Sequence, residues 1–229
     1  MPAAPATRIP GSKPSADVPL GTDSTPNHRF DELPSEDQIQ STIRALESNG
    51  IHTVVVDNKE EARRAVLALI PEGEEVYDGT SQTLLAIGLP NELQQSGRYQ
   101  LIRPQLMQLY QDGKLREQRK LGASPDYIVG SVHAVTEAGK VVIASASGSQ
   151  LGPYAYGAGK VIWVVGAQKL VSNLDEAFRR IEEYTFPLEN ERAKKAYGQG
   201  SSISKVLIVN REMSPGRTTM ILVKENLGF

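Results

Sequence analysis

The hydrophobic residues of the first half of the folded chain change repeatedly between a helical and an extended spacing. Ser35 begins a capping-box pattern, and apolar residues at helical spacing follow it until Gly50. Beyond Gly50, short β-branched runs alternate with helical patterns, an order that favours a mostly parallel sheet covered by helices. The strands are predicted over residues 52–57, 75–78 and 99–102, and the helices over 36–49, 59–70, 81–88 and 104–118.

The spacing changes after Asp126, where an antiparallel element is expected. Two apolar runs flank the tight turn Glu137-Ala138-Gly139, as in a β-hairpin. The pattern as a whole predicts one α/β domain over residues 35–229, with a mostly parallel sheet plus this antiparallel element. The later strands are predicted over residues 127–136, 140–145, 161–165, 206–210 and 219–224, and the later helices over 174–184 and from Pro187 onward.

Residues 1–34 have a different composition from the rest of the chain. They hold seven of the 14 prolines and almost no large apolar side chain. Such a segment buries too little surface to offset its ordering entropy, so we expect a disordered tail. A recognition arm is the alternative interpretation.

Composition restricts the classes of function. The net charge of −2 and the pI near 6.0 argue against a nucleic-acid-binding protein. Cysteine is absent, which excludes disulfides, cysteine-ligated zinc or iron–sulfur clusters, and thiol catalysis within this sequence. The three histidines lack metal-ligand spacing, so we predict no metal site. The apolar runs are too short to span a membrane, and no secretory signal is visible, so the expected location is the cytoplasm.

A first candidate site follows the second predicted strand. The segment 78–83 contains a carboxylate, a glycine and three hydroxyl side chains before a predicted helix, a setting that suits a phosphate or carboxylate ligand. The alternative is an ordinary strand-to-helix turn with Thr80 or Ser81 as the N-cap. The candidate ligand-binding residues are Asp78, Gly79, Thr80, Ser81 and Thr83.

A second candidate is Glu137, a turn carboxylate that can act as a nucleophile or general base if its surroundings perturb its pKa. A solvated turn residue is the alternative. His133 lies four residues earlier, about 13 Å away along an extended strand, so direct partnership is not expected. A structural role suits His133 better.

A third candidate is the loop over residues 145–159, which is rich in glycine and serine. Its small residues either clamp a ligand or form a flexible surface connection. Lys169 and Arg217 are isolated cations that either neutralise a bound anion or lie on the surface. The loop residues proposed to bind ligand are Ser147, Gly148, Ser149 and Gly152.

Several segments together resemble the LUD-domain (lactate-utilization) family. They are Thr136-Glu137-x-Gly139, residues 161–171, Asp175-Glu176-Ala177, Pro187-x-Glu189-Asn190-x-Arg192, and the terminal residues 223–229. The resemblance spans residues 36–229. It implies a modified Rossmann-like α/β fold similar to sugar-phosphate isomerases and CoA transferases, with the segments after Asp78 and after Ser145 bordering the pocket. CoA transferases carry a catalytic glutamate in a Glu-x-Gly setting, which Glu137 matches.

The resemblance leaves three functions open. The first is a cysteine-free accessory subunit in the oxidation of L-lactate to pyruvate, with iron–sulfur clusters only on partner subunits. The second is an independent enzyme of acyl-CoA or sugar-phosphate metabolism that uses Glu137. The third is a regulatory module that binds a small anion, with CoA or a phosphorylated compound as candidate ligands.

Overall fold

The computed structural model describes residues 25–229, so most of the expected tail lies outside the described residues. The described part contains eight α-helices and ten strands. The helices are α1 Glu36–Ser48, α2 Lys59–Leu69, α3 Gln82–Ala86, α4 Leu89–Ser96, α5 Arg103–Gln111, α6 Leu115–Ala123, α7 Leu174–Arg180 and α8 Phe186–Tyr197. The strands are β1 His52–Val56, β2 Glu75–Asp78, β3 Gln100–Leu101, β4 Tyr127–Gly130, β5 Ala134–Thr136, β6 Val141–Ser145, β7 Lys160–Gly166, β8 Leu170–Val171, β9 Lys205–Val209 and β10 Thr218–Val223.

Six strands form a parallel sheet in the order β1-β10-β7-β4-β2-β3. Its central strands carry nearly continuous apolar runs, as expected for strands covered on both faces. The remaining four strands form a second sheet in the order β8-β5-β6-β9. In that sheet β6 is antiparallel to both of its neighbours, while β5 and β8 are parallel. The predicted fold class, a mostly parallel α/β sheet plus an antiparallel element, is confirmed.

The two sheets face one another in a layered arrangement. Alternate residues of β6 point to opposite faces, as the strand period requires. Val141 and Ile143 pack toward the six-stranded sheet beside Trp163, whereas Val142 and Ala144 pack toward α7. Helices α2, α3 and α4 cover the other face of the six-stranded sheet. Strands β5 and β6 of the second sheet are therefore buried on both faces, whereas its edge strand β9 is partly exposed.

Several helices and strands have other boundaries in the structure than those predicted. The predicted strand 127–136 is two strands in two sheets, because the chain leaves the main sheet after Gly130. The Tyr154 hydroxyl occupies the space that a Cβ at Gly130 would need. The predicted helix 104–118 is α5 and α6, separated at Gly113 with its positive φ of 70°. Helix α4 was not predicted. The last two predicted strands, β9 and β10, belong to different sheets.

Strands β2 and β4 are neighbours in the main sheet, but the chain that follows each of them goes to the opposite face. The chain passes from β2 into α3 and α4 on one face, and from β4 into the second sheet on the other. In open α/β sheets such a switch point opens a crevice at the carboxyl ends of the strands, where ligands bind. The residues that follow β2, β4, β7 and β10 meet at this edge. Among the helices of residues 25–229, none has the length and apolar character needed to cross a bilayer.

The segment just before α1 packs on the domain, although it was expected to belong to the tail. A short 3-10 helix, His28–Asp31, buries Phe30 against α7 and Tyr184. Asn27 donates a hydrogen bond to Glu183 at 2.8 Å. The folded part therefore begins at or before Asn27, and the boundary expected at residue 35 lies too far along the chain.

Phe30 provides a test of this boundary. The substitution Phe30→Ala is expected to lower the free energy of unfolding by about 3 kcal/mol, because a buried aromatic ring is lost and a cavity remains. Leu33→Ala in the same segment is the matched control, since Leu33 is 52% exposed and should cost less than about 0.5 kcal/mol. Urea denaturation measures both. Equal, small effects would show that the segment does not pack on the domain in solution.

Candidate functional site

A cavity of about 300 Å³ lies at the switch point of the main sheet. The segments after β2 and β4 form one side, and the loop after β6 and helix α8 form the other. Polar and apolar groups contribute about equally to its wall. Those that matter below are Thr80, Ser81, Ser131, His133, Ser147, Ser149, Lys169, Glu189 and Arg192, together with Phe229 near the end of the chain.

Lys169 is the buried basic group of this cavity, with 1% of its surface exposed. It lies between β7 and β8, where the chain passes from the first sheet to the second. Its Nζ donates to Thr83 Oγ1 at 2.9 Å and to Ser131 Oγ at 3.1 Å. The backbone oxygens of Val132 and Phe229 also accept from it, at 3.1 and 3.2 Å. Among the described residues no Asp or Glu side chain forms a salt bridge with Lys169, and the side chains that it contacts are hydroxyls.

Arg180 is a second buried cation, directly behind the wall of the cavity. It ends α7 and is fully buried. Its NH1 donates to the His133 carbonyl at 2.6 Å and to Thr185 Oγ1 at 3.0 Å, whereas Nε and NH2 find no hydrogen-bond partner. Ile181–Thr185, a π-helical turn between α7 and α8, brings Thr185 into this position. Such turns are frequent at functional sites.

Burial perturbs the pKa of both cations, and Arg180 also perturbs that of Lys169. Burial lowers the pKa of Lys169 well below the ordinary lysine value, and the charge of Arg180 lowers it further. Burial also lowers the pKa of Arg180 to about 10. A carboxylate or phosphate in the cavity would favour the charged forms of both groups. The cavity is therefore suited electrostatically to a small anion.

His133 lines the cavity and is held in one tautomer. Its Nδ1 accepts a hydrogen bond from the Ala144 backbone N–H at 3.1 Å, so a neutral ring carries its proton on Nε2. Burial, followed by the charges of Lys169 and Arg180, lowers its pKa to about 3. The ring is consequently neutral at physiological pH and offers Nε2–H as a hydrogen-bond donor. A structural role was expected for His133, but the ring also faces the cavity.

Some of the residues predicted in segment 78–83 line the cavity, and the others lie behind those that do. Gly79, Thr80 and Ser81 line the cavity. Asp78 does not; Arg103 Nε donates to both of its carboxylate oxygens at 3.1 Å, and Arg103 NH1 donates to Thr80 Oγ1. Asp78 therefore holds the arginine that orients Thr80.

The expected anion site at the helix N-terminus needs correction. Helix α3 has only five residues, and the N–H of Gly79 is already bonded to the Val129 carbonyl at 2.8 Å. Ser81 is the N-cap of α3, as the alternative interpretation proposed. Thr83 lies behind the wall and accepts from Lys169. The segment reaches a polar cavity, but Lys169 rather than the helix end supplies its basic character.

The loop after β6 borders the cavity and is well bonded. The Ser145 hydroxyl accepts from the Gly148 N–H at 2.9 Å, and Lys205 Nζ donates to the Ser147 carbonyl at 3.1 Å. Ser147 and Ser149 line the cavity. Gly148 and Gly152 instead face an adjacent groove of about 680 Å³, which α5 and α6 line on its other side and which shares Ser147 and Ser149 with the cavity.

Glu137 lies away from the cavity. It follows β5, whereas His133 precedes that strand, so the two residues stand at opposite ends, about 13 Å apart. The Glu137 side chain is exposed, and its backbone N–H bonds to Val171. The neighbouring turn contacts α1 through Asn49, which donates to the Ala138 carbonyl. The structure does not bring Glu137 together with the other candidate residues, so we exclude it from this site.

Other segments that carry the family resemblance do meet at the cavity. Arg192 on α8 donates through Nε and NH2 to both oxygens of Glu189, each at 2.7 Å. Thr83 and Gln168 donate to the Leu227 carbonyl and hold the terminal segment beside Lys169. Arg217, the other isolated cation, lies elsewhere and pairs with Glu212 at 2.8 Å. The sequence signal for Lys169 was its place within the resemblance segment 161–171.

Comparisons with known proteins agree with this architecture. The family model described as the LUD domain matches residues 39–223, which is most of the chain. A crystal structure of a DUF162 family protein from Deinococcus radiodurans is similar, with a TM-score of 0.50 and 13% sequence identity. The alignment covers 84% of this chain and 99% of that one, and at this identity it supports the fold alone. No match was found among curated proteins.

The depressed pKa of His133 predicts a pH dependence of stability. Between the ordinary value of 6.5 and about 3, the unfolded chain binds a proton on this ring that the folded chain does not bind. Stability should therefore fall with decreasing pH, by about 1.4 kcal/mol per pH unit from this residue. His133→Asn places an amide oxygen near the position of Nδ1 and cannot titrate. Urea denaturation between about pH 5.5 and 4.5 should show a shallower pH slope for the variant; identical slopes would contradict the neutral ring.

Proposed function

Because this chain belongs to the LUD-domain family, we propose that it is a subunit of a lactate-utilization system that binds a small carboxylate, a 2-hydroxy or 2-oxo acid, in the cavity beside Lys169. The observation that supports this proposal is the pair of buried basic side chains, Lys169 and Arg180, without an Asp or Glu salt bridge among the described residues.

The energetic argument follows from the cost of buried charge. A buried ammonium or guanidinium is strongly disfavoured unless it is paired or fully hydrogen-bonded. Arg180 keeps two nitrogen groups without partners, whereas Lys169 Nζ is hydrogen-bonded but has no Asp or Glu side chain beside it. A bound carboxylate would add negative charge beside both cations. The Nε2–H of His133 and the serine and threonine hydroxyls of the wall then provide donors for its oxygens and for a neighbouring hydroxyl or carbonyl group.

The size of the cavity favours a small ligand. At about 300 Å³ it lies at the lower end of the range for small-molecule sites. A three-carbon acid fits this volume, and a small phosphorylated compound matches the same donors. CoA is much larger and would have to extend into the adjacent groove beyond Ser147 and Ser149.

Redox chemistry is assigned in this proposal to a partner. The sequence contains no cysteine and therefore no ligand for a conventional iron–sulfur cluster. Oxidation of a 2-hydroxy acid requires an electron acceptor, which an iron–sulfur partner subunit would provide. The contribution of this chain would be to bind the acid. Glu137, at the far end of β5, has no part in that role.

Removal of the Lys169 amine should weaken ligand binding selectively. We expect Lys169→Met to reduce affinity for L-lactate or pyruvate by about tenfold to a hundredfold, since a hydrogen bond to a charged group contributes about 1.5 to 3 kcal/mol. Glu137→Gln is the matched control and should keep the affinity of the parent. Titration calorimetry measures both variants, after thermal unfolding has shown that they are folded. Undiminished binding by folded Lys169→Met would place the ligand elsewhere.

The same pair of variants tests the physiological role. In a strain that lacks the gene and cannot use L-lactate, the parent and Glu137→Gln should restore growth on lactate, whereas Lys169→Met should not. Growth on glucose is the control for expression. Restoration by Lys169→Met, or failure of Glu137→Gln at equal protein level, would contradict the assignment.

A further inference from the structure

We propose that Lys169 is a nucleophile that forms a Schiff base with the carbonyl carbon of a small 2-oxo acid bound in the cavity. This inference rests on the proposed function, because it takes the same cavity as the binding site. It goes further by distinguishing 2-oxo acids, which carry an electrophilic carbonyl, from 2-hydroxy acids, which do not.

The position of Lys169 is the first argument. It is the one lysine among the described residues that line the cavity, and it is almost completely screened from bulk water. A small acid that enters the cavity therefore meets a single amine. The contacts with Thr83, Ser131, Val132 and Phe229 hold Nζ at the wall, and such positioning favours attack on a bound carbonyl.

The surroundings of the amine are the second argument. A lysine becomes nucleophilic when it loses its proton, which occurs where the amine is desolvated or lies near another cation. Lys169 meets both conditions, because it is buried and Arg180 lies nearby. An Asp or Glu partner would hold the ammonium form, and the described residues provide none at salt-bridge distance.

The chemistry requires no further reagent. The bound carboxylate reduces the neutral fraction of Lys169, and it is this remaining neutral fraction whose Nζ attacks the carbonyl carbon. A C–N bond forms, and a proton passes from nitrogen to oxygen to give a carbinolamine. The C–O bond then breaks and the oxygen leaves as water with the two hydrogens that the amine has lost. A proton taken up by the imine nitrogen gives the iminium, whose positive charge is offset by the carboxylate of the same ligand.

Neighbouring hydroxyls provide a route for these protons. Ser131 Oγ and Thr83 Oγ1 lie within 3.1 Å of Nζ, and a hydroxyl can accept one proton while it donates another. His133 offers Nε2–H to the ligand oxygen that becomes the leaving water. With its Nδ1 bonded to Ala144, His133 serves as a donor rather than as a base.

Reductive trapping tests the proposal. The full chain is incubated with pyruvate and cyanoborohydride near neutral pH, and the product is analysed by intact mass and peptide mapping. We expect one stable adduct on Lys169 of the parent protein. Lys169→Arg should give none, while Lys59→Arg, a change at an exposed lysine on α2, should react like the parent. L-Lactate should give no adduct. Trapping should already be rapid near neutral pH, because the lowered pKa leaves the amine neutral at a lower pH than a free lysine.

The outcomes separate this inference from the proposed function. Mapping on the parent needs no variant, so a Lys169→Arg protein that fails to fold does not weaken the test. If titration calorimetry shows that pyruvate and lactate bind but no adduct maps to Lys169, the nucleophile is excluded and the binding function stands. Adducts spread over exposed lysines would also exclude Lys169 as the nucleophile and leave the binding function standing. If neither acid binds and no adduct forms, both proposals fail.

Discussion

Lys169 is a basic side chain buried where two sheets meet, and much of the surrounding structure is arranged to accept its amine. The oxygens around Nζ come from α3, from the segment after β4 and from the end of the chain. These contacts satisfy the hydrogen bonds of the ammonium form but include no Asp or Glu side chain, while burial and Arg180 disfavour its charge. This imbalance gives the cavity its affinity for negative charge, and it also favours the neutral amine when the cavity holds no anion.

The topology explains how distant parts of the sequence reach one amine. In the six-stranded sheet the carboxyl ends of β2, β4, β7 and β10 lie at one edge, and adjacent β2 and β4 connect toward opposite faces. Thr83, Ser131, Lys169 and Phe229 each follow one of these strands. The second sheet and the π-helical turn then bring Arg180 behind His133. The polar cavity is thus a consequence of the strand order, with α8 closing its side.

The sequence predicted the strands and the α/β class well, because continuous β-branched runs and capped amphipathic helices are local signals. It did not predict that residues 127–136 divide between two sheets, since that division depends on long-range strand pairing and not on a local pattern. The site was predicted in part. Gly79, Thr80, Ser81, Ser147 and Ser149 were predicted from small and hydroxyl-bearing residues and line the cavity. Arg180 had no local signal, because burial of a charge depends on packing. Glu137 was chosen from a three-residue pattern that carries no information about distance to the cavity.

The most direct test of the account is the titration of the Lys169 amine itself, observed by nuclear magnetic resonance of the protein with isotopically labelled lysine and assigned with Lys169→Arg. We expect Lys169 to titrate well below the exposed lysines in the free protein, because burial and Arg180 disfavour its charge. Addition of L-lactate should raise its pKa, since the bound carboxylate stabilises the ammonium form. A Lys169 signal that titrates with the exposed lysines, or that does not respond to a saturating carboxylate, would contradict the central claim.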